Sequence, residues 1–208
     1  MTIKYDRRQV KTKQQLLQAL LICIKQKGLD HVTVTDIANA ADLNRGTFYL
    51  HYQDVRHMVQ QIMNEKINLL TELISQIDPY EHGQYADQDL PYPKIVVILE
   101  ELSSDRLFYT TILGAKGDPS YILHVKKILT DNLYNKFELH VPGTVSAPVP
   151  THYLLAYMTS AAVGMIMFWL ENDLPETASE IGAMIMNIAN HGLIVSSGLR
   201  EKLQNNKD

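Results

Sequence analysis

The sequence predicts an all-α protein: an N-terminal three-helix domain with a helix-turn-helix, followed by a larger C-terminal helical body. Three observations carry this. Apolar residues recur at three- and four-residue spacing along most of the 208 residues, the period of an amphipathic helix. No run alternates apolar and polar residues between turn signals, so no sheet is expected. Pro and Gly cluster at a few places and cut the chain into helix-length pieces.

Leu16, Leu17, Leu20, Leu21 and Ile24 define a first helix over about 12–27. Thr12 and Gln15 have the form of a capping box, and Gly28 is a stop signal. Thr33 and Asp36 form a second capping-box pattern, opening a short helix over about 34–41. Asn44 is a good N-cap for another at about 45–51. Asp54 can cap a long helix running to Ile77, ended by Pro79. Residues 79–93, with Pro79, Gly83, Pro91 and Pro93, read as a loop. Helices follow at about 94–104, 106–114 and 119–139. Residues 141–150 read as a second loop. Two last helices cover about 151–171 and 176–197, separated by Asn172, Asp173 and Pro175.

Composition excludes several classes. Apolar residues are 46% and charged residues 20%, as in ordinary globular proteins and unlike disordered chains. Cys23 is alone, so it makes neither an internal disulfide nor a Cys-based zinc site. A single cysteine fits a reducing compartment. Residues 1–15 are polar and basic rather than a signal peptide, and a cytoplasmic location is expected. Residues 1–58 hold nine Lys/Arg against five Asp/Glu, a net of +4. The rest holds ten against 18, a net of −8. A small basic part on a larger acidic body is the asymmetry of a nucleic-acid reader joined to something else.

Tyr153–Leu170 is an uncharged stretch of 18 residues, long enough to be tested as a membrane span. It contains Thr159, Ser160 and Gly164, Glu171 and Asp173 follow, and no basic cluster flanks either end. The orientation signal of a membrane helix is missing. Such a helix is expected to be buried in a core or at a subunit interface.

The two short helices, joined by Asp42-Leu43-Asn44, make a helix-turn-helix, whose second helix enters the DNA major groove. Val34, Ile37, Ala38, Leu43 and Phe48 can face a small core with Leu16, Leu20 and Ile24. Arg45, Thr47, Tyr49 and His51 are left outward or at the edge. Arg can pair bidentately with guanine, and a Thr methyl can touch a thymine methyl. Tyr and His can hydrogen-bond phosphate oxygens.

The stretch Thr33-Val34-Thr35-Asp36-Ile37-Ala38, and then Arg45-Gly46-Thr47-Phe48-Tyr49-Leu50-His51-Tyr52, resembles the DNA-binding domain of the TetR family of bacterial transcription regulators. The likeness covers about residues 7–60. It implies a DNA-binding domain at 1–53 and a ligand-binding and dimerisation domain at 54–208. It implies that Thr33 contacts phosphate, that Thr35 reaches a base, and that Arg45, Gly46 and Thr47 read bases or allow close approach. Tyr49 and His51 resemble the family's phosphate-contacting pair, Phe48 a buried residue and Tyr52 a packing one. Arg7, Arg8, Lys11 and Lys13 can add backbone or minor-groove contacts. Asp42 stands where the family usually has Gly, and Asp tolerates the left-handed conformation that the turn needs. Val55 stands where Lys is usual, which removes one phosphate contact, and Arg56 points about 100° away.

The resemblance also implies a homodimer joined by the last two helices of each subunit, reading a palindromic double-stranded operator whose half-sites lie ~34–36 Å apart. The small-residue line Ala156, Ser160, Gly164 fits close helix contact. So does the face of Ile181, Ile185, Ile188 and Ile194 with Gly182, Ala189 and Gly192. A small apolar or aromatic effector, bound among the helices of the body, would modulate a repressor. Candidate pocket residues are Phe108, Tyr109, Tyr121, Tyr157, Met165, Met167, Phe168 and Trp169, with His124 and Asn187 as polar anchors. Stripes of this kind also build ordinary cores. No cofactor and no metal are implied.

Two rival readings explain less. An all-helical enzyme would need a catalytic motif, and H-E-x-x-H, G-x-S-x-G and phosphate-binding glycine loops do not occur in the sequence. A helical protein-interaction adaptor, or an activator without an effector, would fit the acidic body. The adaptor leaves Arg45, Thr47, Tyr49 and His51 unexplained.

Overall fold

The structure is a computed structural model that describes residues 7–88, 90–118, 120–140, 149–172 and 175–196. Ten α-helices and one 3-10 turn make up its regular structure, and there is no strand among the described residues. The helices are α1 (Arg7–Lys27), α2 (Val34–Ala40), α3 (Arg45–Tyr49), α4 (Val55–Ser75) and α5 (Pro79–Ala86). They continue with α6 (Pro93–Ser104), α7 (Arg106–Leu113), α8 (Ser120–His140), α9 (Thr151–Glu171) and α10 (Ala178–Ser196). The all-α expectation holds.

Two boundaries differ from the sequence reading. α1 begins at Arg7, so Thr12 is not a cap but lies inside the helix, where its hydroxyl donates to the Arg8 carbonyl at 2.9 Å. The segment 79–93 is not one loop, because Pro79–Ala86 is helical. Pro79 opens this helix rather than closing the one before it, since the first helical position needs no N–H. The Asp78 carboxylate caps it by accepting from the Glu81 N–H at 3.0 Å. Pro93 opens α6 in the same way. The expected loop at 141–150 falls mostly on 141–148, outside the described residues.

The chain divides into two compact units. The first holds the described residues up to Asn68 together with Leu107–Leu123. Its core is built from Leu16, Leu20 and Ile24 of α1, Ile37 of α2, Phe48 of α3 and Met58 of α4, all buried. Phe108, Tyr109 and Tyr121 are buried in the same unit. The Lys66 ammonium sits 5.8 and 5.7 Å from the ring centres of Phe108 and Tyr109, within cation–π range. Gly28 ends α1 with φ 82°, the left-handed region that glycine adopts without strain. Just beyond it, the Leu29 N–H donates to the Lys116 carbonyl at 2.9 Å, and the Lys116 ammonium donates to the Lys25 carbonyl at 2.8 Å.

The second unit holds Leu69–Arg106 and the described residues from His124 on. α10 packs on α6, and the contact is close: a Cβ at Gly182 would lie 3.3 Å from Val96 Cγ2. Ile181 is buried there as well. The Ile181–Gly182 side of α10, expected to face a partner, therefore faces inward. Tyr92 is fully buried, its hydroxyl donating to Glu81 Oε2 at 2.7 Å and accepting from the Asp78 N–H at 3.2 Å. The Lys94 ammonium completes this group on Glu81.

Candidate nucleic-acid interface and effector cavity

The helix-turn-helix is assembled by local hydrogen bonds that its sequence spells out. The α2 N-terminus carries a complete capping box: Thr33 Oγ1 accepts from the Asp36 N–H at 3.2 Å, and the Asp36 carboxylate accepts from the Thr33 N–H at 2.8 Å. The Thr33 hydroxyl and the Lys27 ammonium also donate to Asp36 Oδ2, each at 2.5 Å. These hydrogen bonds, Lys27 first and then Thr33, lower the Asp36 pKa to about 2. The turn into α3 passes through Asp42 at φ 52°, a conformation that Asp tolerates where most residues do not. Asn44 caps α3, its side chain accepting from the Gly46 N–H at 2.8 Å.

Phe48 holds α3 in place. Its side chain is fully buried, with Tyr49 edge-on at 5.7 Å and Tyr52 at 5.7 Å between ring centres. Burial, with the Glu65 charge second, pushes the Tyr52 hydroxyl up to about 12, so it stays protonated. The Gln53 N–H donates to His57 Nδ1 at 3.2 Å and the His57 N–H donates to the Asp54 carboxylate at 2.8 Å, fixing the start of α4.

The candidate DNA-contacting residues separate clearly. Thr35, Arg45 and Gly46 are exposed, Tyr49 is 51% exposed, and Thr47 and His51 are half-buried. Thr33 is exposed, but its hydroxyl both donates and accepts within the capping box. Arg7 and Lys11 of α1 are exposed, and Lys13 is half-buried. Leu50, which the sequence reading passed over, is 82% exposed at the end of α3. Lys27 was also passed over as a support for α2, because no local pattern links it to a carboxylate nine residues away. A short helix pinned by a buried aromatic anchor can present this polar edge rigidly, as base and phosphate reading requires.

The second unit contains a cavity of about 220 Å3. Its walls come from the α4–α5 link (Ile77), α5 (His82), α6 (Ile95), α8 (Leu129, Leu133), α9 (including Leu155, Thr159, Ala162 and Met165) and α10 (Ile185, Ile188, Ala189, Gly192). Of the candidate pocket residues, Tyr157 and Met165 line it. Phe108, Tyr109 and Tyr121 belong to the core of the first unit. Trp169 is buried, its indole N–H donating to the Glu176 carbonyl at 2.9 Å. Phe168 is 61% exposed, His124 and Asn187 are exposed, and Met167 is half-buried.

Fold and motif together define a class: a helix-turn-helix regulator of transcription with a helical regulatory body. Residues 16–62 match the family model described as bacterial regulatory proteins, tetR family. Residues 89–191 match a model described as transcriptional regulator C-terminal region. The chain belongs to the TetR family of transcriptional regulators. Among curated relatives, it is 36% identical over 70 residues to the uncharacterized HTH-type transcriptional regulator YvdT of Bacillus subtilis (strain 168), covering 34% of each chain. It is 22% identical over 170 residues to YxbF of the same organism, likewise an uncharacterized HTH-type transcriptional regulator, covering 80% of this chain and 42% of the relative. The chain thus spans well under two thirds of either relative's length.

Solved structures share the fold. The fatty acid degradation regulator FadR from Bacillus halodurans aligns with a TM-score of 0.61 at 15% identity, over 88% of this chain and 96% of that one. NalD, the secondary repressor of the MexAB-OprM multidrug efflux pump in Pseudomonas aeruginosa, gives 0.59 at 17% identity, over 89% and 98%. FadR from Bacillus subtilis, solved in complex with stearoyl-CoA, gives 0.56 at 15% identity, over 86% and 98%.

Proposed function

We propose that the chain is a homodimeric, sequence-specific repressor whose operator binding is modulated by a small ligand. Residues 1–53 read DNA and residues 54–208 bind the ligand and dimerise. The observation that carries the DNA reading is the polar edge of α3, Arg45, Gly46 and Tyr49, exposed on a helix that Phe48 anchors with no exposure of its own. Arg45 and Thr47 meet base edges, Tyr49 and His51 meet phosphates, and Thr35 reaches the groove from α2.

The dimer reading rests on α9. This helix is long and apolar enough to cross a membrane by length and composition, yet only 22% of its apolar window is buried within the chain. Its exposed residues Tyr153, Tyr157, Ser160, Gly164 and Phe168 recur at three- and four-residue spacing and so share one face. A second copy covers that face with its own α9, and the outward line Met184, Asn187 and His191 of α10 adjoins the contact. Pairing across a two-fold axis gives the two reading heads a palindrome.

Selection of binding sites from random duplex DNA tests the reading, followed by titration of the selected duplex at several salt concentrations. A palindromic site with affinity falling steeply as salt rises is expected. Folded protein that enriches no sequence, with or without cell extract, would overturn it in favour of the adaptor.

A further inference from the structure

The cavity of the second unit has a one-sided chemistry. Among the described residues that line it there is no Asp, Glu, Lys or Arg. Its walls are Leu, Ile, Met and Ala, with the Tyr157, His82 and Thr159 side chains as the polar exceptions. Thr159 donates its hydrogen to the Leu155 carbonyl at 2.7 Å and stands 3.1 Å from the Thr130 hydroxyl. With that hydrogen committed, Thr159 accepts from Thr130, so it offers an incoming molecule an acceptor and no donor. His82 is half-buried, and burial lowers its pKa from the ordinary histidine value. Its ring lies edge-on to Tyr92 at 5.5 Å.

We propose that this cavity binds an uncharged, mostly apolar molecule carrying one hydroxyl or similar hydrogen-bonding group. This names the ligand class for the effector reading above and rests on it. Charge sets the limit. A carboxylate or ammonium group brought into this lining meets no counter-charge and loses its water, so the charged form is strongly disfavoured. A neutral hydroxyl can donate to Thr159 and loses little on entry. The charged CoA part of an acyl-CoA finds no Lys or Arg in this lining.

The test uses the full chain and its selected duplex, with 1-octanol, octanoate, octylammonium and lauroyl-CoA titrated separately at pH 7.5 by calorimetry. Octanol is expected to saturate one site per chain at least tenfold more tightly than either octyl ion. Ala162→Leu, which fills the cavity, is expected to weaken octanol at least tenfold. Ile188→Ala, which enlarges it, shifts the preference from octanol to decanol and provides the test if Ala162→Leu fails to fold. Octanoate or lauroyl-CoA binding as tightly as octanol would overturn the proposal, and so would the absence of octanol binding. Retained duplex binding in that last case leaves the DNA reading standing. Octanol binding without any duplex binding would instead sink the regulator reading and keep the ligand class.

Discussion

The Lys27 ammonium and the backbone N–H of Thr33 converge on one oxygen of Asp36, at 2.5 and 2.8 Å, joined by the Thr33 hydroxyl at 2.5 Å. A single carboxylate oxygen thereby ties the end of α1 to the start of α2. Thr33 has its hydroxyl hydrogen committed to this group, so its hydroxyl cannot also donate to a phosphate while the box is intact. Thr33→Ala should cost about 1 kcal/mol of stability, the usual worth of an N-cap, read from urea unfolding. Thr33→Ser should restore most of it. A variant as stable as the parent but defective on DNA would return Thr33 to the role of phosphate contact.

The same group sets an acid dependence. The folded pKa of Asp36, about 2, lies below its unfolded value of ~3.9. Its contribution to stability is therefore complete above about pH 4 and is lost as pH falls through about 2. Asp36→Asn should flatten the acid limb of unfolding in that window and leave the slope near neutrality unchanged. An acid limb identical to the parent's would show that Asp36 does not carry it.

Gly46 separates folding from DNA approach. A Cβ there would lie 3.5 Å from Asn44 Oδ1, an ordinary contact. Nothing in the fold requires glycine, and alanine is the better helix former by ~0.5–1 kcal/mol. Gly46→Ala should leave the melting temperature unchanged or raise it slightly while operator affinity falls at least tenfold. Unchanged affinity would remove Gly46 from the approach surface.

Arg45→Ala should cost ~1–3 kcal/mol on the selected duplex and relax sequence choice at one position of each half-site, while Tyr49→Phe weakens cognate and random DNA alike. Parallel titrations on both duplexes separate the two. Equal losses for Arg45→Ala on cognate and random DNA would end its role as a base reader.

What was legible in the sequence is what is local. The α2 and α3 caps, the left-handed Asp42 and the buried Phe48 all follow from residues within a few positions of one another, where side chain and backbone have few alternatives. α5 was hidden because Pro marks the first turn of a helix as readily as the end of one. α10 was misread because an apolar helix offers more than one face, and only packing against Val96 and Leu99 shows that Ile181 and Gly182 turn inward. The aromatic residues Phe108, Tyr109 and Tyr121 look like a pocket by composition. Their place in the core of the first unit depends on contacts distant in sequence, such as Lys66 of α4 over the rings of Phe108 and Tyr109, that no local pattern encodes.

Gly164 tests the dimer without touching the protomer. Space for a side chain is open there, with no atom within 4 Å of a built Cβ. Gly164→Lys should fold at least as well as the parent, since it replaces a mid-helix glycine. In a pair of apposed α9 helices it would place two bulky charges at the closest approach. Sedimentation should show a monomer, and binding to the palindrome should weaken to that of a half-site. A dimer that survives the substitution would move the interface elsewhere.

Lys136 offers a route from the cavity to α4. Its ammonium donates to the Ser75 carbonyl at 2.5 Å, one of those that the α4 C-terminus leaves without helical partners, and to the Ile77 carbonyl two residues beyond the helix. One turn earlier on α8, Leu133 forms part of the cavity wall, as does Ile77 itself. A bound molecule that displaced α8 would thereby act on the end of α4. Lys136→Met keeps most of the stem and removes the donors, which should cost about 1 kcal/mol of stability. Operator affinity without ligand should stay within twofold of the parent, and octanol should still bind. The factor by which octanol weakens operator binding should shrink toward one, because a ligand shifts an equilibrium only through contacts that differ between its two states. The full octanol effect in a Lys136→Met protein would show that α4 senses the cavity through Ile77 alone.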